Sequence, residues 1–108
     1  MLFVLNEVKS PWMKIVFDVA NAAVVEPIVP ALDLVKDHLV HVHLSDTDSS
    51  KWTHSPVGMG TIDFAPVAKK LKEMHFSGVS ILETTHAEDP KWGIVNSVEK
   101  LAPLGWRT

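Results

Sequence analysis

The sequence predicts an α/β fold with about three parallel β-strands alternating with helices, and three observations carry that reading. Short β-branched runs alternate with longer segments of helical period. The strand candidates lie far enough apart for each connection to hold a helix, which implies parallel strands joined by right-handed crossovers. No repeat, low-complexity tract or linker-like stretch divides the 108 residues, so the expectation is a single domain over residues 1–108.

Taken in order, Met1 to Val8 reads as the tail of a helix. Lys14-Ile-Val-Phe-Asp18, with Ser10-Pro11 upstream, is the first strand. Glu26 to Leu39 places Ile28, Val29, Leu32 and Val35 at helical spacing, with Pro27 suited to the first turn and Pro30 required near the start. Val40-His-Val-His-Leu44 is the second strand. The longest connection, Ser45 to Ile62, shows no clear period and is rich in Ser, Thr, Asp and Gly; long loops at the carboxyl end of a strand are where α/β proteins usually keep function. Asp63 then caps a helix to Met74, with Val67, Ala68, Leu71 and Met74 on one face. Gly78 opens the third strand, Val79-Ser-Ile-Leu-Glu83, and Asp89-Pro90 opens a last helix to about Leu101.

Composition removes several classes. With 46% hydrophobic and 21% charged residues the chain is no disordered tail. No run approaches the ~20 apolar residues of a membrane span. Met1 to Lys9 lacks the features of a secretory signal, so a cytoplasmic protein without a membrane partner is the default. The absence of cysteine excludes disulfides, thiolate metal sites and cysteine nucleophiles. A net charge of −3 is poorly suited to gripping phosphate backbones, so no nucleic-acid partner is expected.

Each strand candidate ends in a residue that can bind a hard or borderline divalent cation: Asp18, His43 and Glu83, spaced 25 and 40 residues apart. Alternation along a strand puts Asp18 with Val16, His43 with His41, and Glu83 with Ile81. On adjacent strands the three would converge at the carboxyl edge of one sheet, where α/β folds place their sites. Taken singly, such residues are more often helix caps or loop hydrogen-bonders, and His41 and His43 can equally be part-buried histidines satisfied by backbone groups. The four tryptophans, Trp12, Trp52, Trp92 and Trp106, are scattered and read mostly as packing residues. His75 suits a helix end, and His86 a solvated loop.

Four segments appear in order: Phe17-Asp-Val-Ala-Asn21, His41-Val-His-Leu-Ser-Asp46, Pro56-Val-Gly-Met-Gly-Thr-Ile-Asp-Phe64 and Gly78-Val-Ser-Ile-Leu-Glu83. Together they resemble the carboxyl-terminal part of the sugar phosphate isomerase/epimerase family, the xylose isomerase-like TIM barrels, from about Asn6 to Trp106. The resemblance implies a partial (β/α)8 barrel and a divalent metal (Mn2+, Mg2+, Co2+ or Zn2+) held by Asp18, His43 and Glu83, with a further Glu upstream of Met1. It implies Glu83 as one of two catalytic carboxylates that move a proton next to a carbonyl, with the cation stabilising the enediolate oxygen. It also implies a small sugar or sugar phosphate as substrate, with Asn21, Lys51 and His54 as substrate contacts and His41 supporting the metal ligands; Trp52, the exception among the tryptophans, lies in the long loop, where it can stack on such a sugar. Asn21 stands where the family often has His, and Met59 where many members have Glu.

A complete barrel of this type takes ~250 residues. Three strands alone would leave Val16, Val79 and Ile81 without partners, so the expectation is either a truncated piece of a longer barrel or a homo-oligomer that covers the open face. With one of two catalytic carboxylates, weak or absent activity of the isolated chain follows. A non-catalytic, self-associating α/β module is the alternative. A metal nuclease of the endonuclease IV type is disfavoured, since it needs more His and acidic ligands and a basic groove.

Overall fold

A computed structural model describes residues 1–48 and 50–107; Ser49 in the long connection and Thr108 at the end of the expected domain lie outside the described residues. The elements are α1 (Leu2–Val8), β1 (Ile15–Asp18), α2 (Val19–Ala23), α3 (Ile28–Val35), β2 (Leu39–Leu44), β3 (Asp46–Asp48), β4 (Lys51–Ser55), α4 (Phe64–Glu73), β5 (Val79–Leu82) and α5 (Pro90–Leu101). Short 3-10 turns follow α3 at Lys36–His38 and α5 at Ala102–Leu104.

β1, β2 and β5 form a parallel sheet with β2 in the centre, the α/β arrangement of a partial TIM barrel. The register sets two rows across one face: Val16, His41 and Val79 in the first, then Asp18, His43 and Ile81. The opposite face carries Ile15, Phe17, Val42 and Leu44, all buried. Beneath it pack Leu32 of α3, Phe64, Val67 and Leu71 of α4 and Leu101 of α5, which form the core with Val19 and Ala31. Removing these apolar groups from water is the main force holding helices to sheet. The first face is open: Val16, Val79 and Ile81 are 49, 54 and 41% exposed. They are the three apolar residues expected to lack partners.

Local chemistry accounts for the helix starts. The carboxylates of Asp18, Asp63 and Asp89 accept hydrogen bonds from the backbone N–H groups of Asn21, Ala65 and Trp92, capping α2, α4 and α5. α3 is shorter than the expected Glu26–Leu39. Pro27 is its N-cap in extended backbone rather than a first-turn residue, and Leu39 already belongs to β2. Pro30 falls within the first turn, where no intrahelical N–H is required. His75 follows α4 with φ 52°, and its backbone N–H donates to the carbonyl of Lys72.

The long connection is not an irregular loop. β3 and β4 make an antiparallel hairpin held by hydroxyls: Thr47 Oγ1 accepts from Thr53 N–H at 2.8 Å, and Thr53 and Ser55 hydroxyls are 2.9 Å apart. Polar side chains tie this hairpin together, so it lacks the apolar alternation by which strands are read.

Candidate functional site

Asp18 closes β1 and opens α2, so one residue serves two geometries. Its Oδ1 accepts from Asn21 N–H at 2.9 Å, leaving the second oxygen for other partners. One strand over, His43 is its register partner on β2. Glu83 follows β5 directly, and its N–H donates to the Leu44 carbonyl at 3.1 Å, carrying the ladder one step past the strand. All three strand-end residues therefore lie at the carboxyl edge of one sheet.

Ligand-type atoms of Asp18, His54 and Glu83 lie within 4.8 Å of one another. His43 joins this group through Glu83, its Nδ1 standing 2.8 Å from Glu83 Oε2. His54, expected among the substrate contacts, is brought to the two carboxylates by the hairpin, which folds back over the sheet edge. His54 is fixed on three sides. Ser45 Oγ is 3.0 Å from its Nδ1. Thr85 donates to its backbone carbonyl from both N–H (2.7 Å) and hydroxyl (3.1 Å). Trp52 stands edge-on to its ring at 5.1 Å between centroids.

The remaining expected residues are placed differently. Asn21 Oδ1 accepts from Trp52 Nε1 at 2.7 Å, a clamp between α2 and the hairpin that engages both side chains. Trp52 remains more than half exposed. Alternation along β4 puts Lys51 with Thr53 and Ser55, on the side opposite Trp52 and His54. His41 lies one row deeper than His43, and its Nδ1 is buried without a hydrogen-bond partner among the described residues. His86 turns away: its Nδ1 accepts from Asp89 N–H at 3.0 Å, and its ring packs against Trp92.

Two carboxylates and an imidazole, with a second imidazole on one carboxylate, form a donor set suited to a hard or borderline divalent cation such as Mn2+, Mg2+ or Zn2+. Away from the site, at the hairpin turn, Ser50 donates to Asp48 from N–H and hydroxyl, which holds that carboxyl below its usual range. Between α3 and α4, the Lys70 ammonium bonded to Asp33 does the same, with help from Lys36. No helix among the described residues is long and apolar enough to cross a membrane.

Comparison with known proteins gives the family and the fold. An uncharacterized protein of Methanocaldococcus jannaschii is 28% identical over 82% of this chain and 31% of its own length. L-ribulose-5-phosphate 3-epimerase of Escherichia coli is 31% identical over 75% of this chain and 30% of its own length. The chain thus spans about a third of the curated relatives it matches. A D-tagatose 3-epimerase-like protein superposes with TM-score 0.77 and 28% identity, covering 94% of this chain and 39% of that structure. The fold is also that of a xylose isomerase domain protein from Planctomyces limnophilus, with TM-score 0.82, 22% identity and coverage of 95% and 41%. Residues 1–104 match a family described as the xylose isomerase-like TIM barrel, and the chain belongs to that family.

Proposed function

We propose that this chain is the cation-binding part of a sugar or sugar-phosphate epimerase or isomerase, with Glu83 as the group that moves a proton next to the substrate carbonyl. The observation that carries the reading is the convergence of Asp18, His54 and Glu83 at the carboxyl edge of the sheet. The sugar epimerases among the relatives support the substrate class. In this reading Asp18, His54 and Glu83 hold a divalent cation, and His43 either orients Glu83 through their hydrogen bond or exchanges that bond for a place on the cation. The cation supplies positive charge beside the oxygen that becomes anionic when the neighbouring carbon loses its proton. Glu83 is half exposed, so a substrate can reach it from the open side. Trp52 offers a flat apolar face to a sugar ring, and the free amide group of Asn21 can donate to a hydroxyl.

Calorimetric titration with Mn2+ tests this reading. The expected result is one site per chain, weakened about tenfold or more in His43→Ala, Asp18→Asn and Glu83→Gln and unchanged in Glu88→Gln, an exposed carboxylate outside the cluster. Equal affinity in all variants would remove the site. Because the reading supplies one catalytic carboxylate, turnover of free ketoses by the isolated chain is expected to be negligible.

A second reading is favoured by the open face of Val16, Val79 and Ile81. There, copies of the chain cover one another's exposed sheet and form a non-catalytic assembly. Metal content separates the two readings, and in sedimentation at micromolar concentration a 12.0 kDa species contradicts self-association.

A further inference from the structure

Asp46 is fully buried, yet it takes no part in the cation cluster. Its carboxylate is spent on backbone. Oδ1 accepts from Thr47 N–H at 2.9 Å and Ile62 N–H at 3.0 Å, while Oδ2 accepts from Gly58 N–H at 2.8 Å. These donors lie at the two ends of one stretch of chain, which one side chain therefore closes upon itself. A buried carboxylate needs such a set of donors to offset its loss of water. The glycines serve the same closure. Gly58 has φ 88°, and a Cβ on Gly60 would collide with Asp46 Oδ1 and the Thr47 carbonyl.

His54 sits inside the stretch so closed. Asp46 pairs across the hairpin with Ser55, the next residue in the chain. Its other neighbour, Ser45, is also fully buried and holds His54 Nδ1 at 3.0 Å. The residue before Asp46 thus holds the His54 ring, and the ladder partner of Asp46 is the residue that follows His54 in the chain.

We infer that Asp46 is a positioning residue for His54: its buried carboxylate ties Gly58 and Ile62 to Thr47 and so holds the imidazole at Asp18 and Glu83. This rests on the proposed cation site for its energetic consequence, whereas the effect on His54 stands without a cation. Preorganisation of this kind raises affinity because the ordering of the loop precedes binding.

The test is a double-mutant cycle read by Mn2+ titration calorimetry on wild type, Asp46→Asn, His54→Ala and the double variant. Asp46→Asn turns an amide donor toward backbone donors while keeping the side chain's size. The expected outcome is a loss of about tenfold or more in Asp46→Asn. The double variant is expected to bind no more weakly than His54→Ala alone. Losses that multiply in the double variant would overturn the inference. In metal-free protein, the ring resonances of His54 should move in Asp46→Asn while those of His75 stay; unmoved His54 signals overturn it whether or not Mn2+ binds. Failure of the wild type to bind Mn2+ would defeat the cation reading and leave the ring resonances to decide the role of Asp46. Should Asp46→Asn not fold, hydrogen exchange decides. Mn2+ should slow exchange of the Gly58 and Ile62 amides in wild type and not in His54→Ala, because coupling between two sites is reciprocal. Exchange unchanged in wild type at Mn2+ concentrations that calorimetry shows to saturate its site overturns the inference.

Discussion

The parallel sheet and the β3–β4 hairpin adjoin each other but are held together by different forces. In the sheet, Val42 and Leu44 alternate with His41 and His43, so one strand sends apolar side chains to the helices and imidazoles to the open face. In the hairpin the inward groups are Thr47, Thr53 and Ser55, and hydroxyl hydrogen bonds take the place of apolar contact. The sheet is stabilised by burial, which tolerates exchange of one apolar residue for another. The hairpin depends on partners for particular atoms, and the loss of one leaves another buried and unpaired. Both regions feed the same site: the sheet supplies Asp18, His43 and Glu83, the hairpin His54.

The largest effect should come from the sheet. Leu44→Ala removes a fully buried side chain and should cost about 2–5 kcal/mol in denaturant unfolding, lowering the global transition. A loss below 1 kcal/mol would mean that the sheet face is not the core. Thr47→Val, nearly the same size, should cost about 1–3 kcal/mol by stranding the Thr53 N–H. Its hydrogen-exchange signature should be confined to the hairpin, and uniform loss of protection would contradict the separation of the two regions. Asp63→Ala, which removes the cap of α4, should cost about 1 kcal/mol.

The smallest effect is one of pH. Asp33 and Asp48 have folded-state carboxyls held below the ordinary value of 3.8, so each contributes stability that is fully present above that value. The contribution is lost as pH falls through the folded values. Both groups are exposed, so the change in Tm between pH 5 and pH 3 should be slight. Asp33→Asn and Asp48→Asn should each make that decline shallower. A steeper decline would reverse the sign of the argument.

How far the sequence could be read follows the same division. The strands over residues 15–18, 39–44 and 79–82 were legible because β-branched runs report burial on one face, and Asp63 and Asp89 announced their helices by capping chemistry. Two of the three residues that cluster, Asp18 and Glu83, were visible as ends of those strands. The hairpin was not legible, because Thr47, Thr53 and Ser55 carry no apolar period. The convergence of His54 with the carboxylates was hidden with it. The alternation of Trp52 and His54 against Lys51, Thr53 and Ser55 was the available signal, since Trp and Thr favour strands and alternate positions face opposite ways. The short helix α2 was also missed, for Asp18 is a strand end and a cap at once.

In the proposed function, hairpin and sheet together make a cation site. Anomalous diffraction from crystals of the full chain soaked in Mn2+ tests it most directly. One anomalous peak is expected within about 2.3 Å of oxygen or nitrogen atoms of Asp18, His54 and Glu83. A strong peak elsewhere on the chain, or none at the carboxyl edge of β1 and β5 at saturating Mn2+, would contradict it.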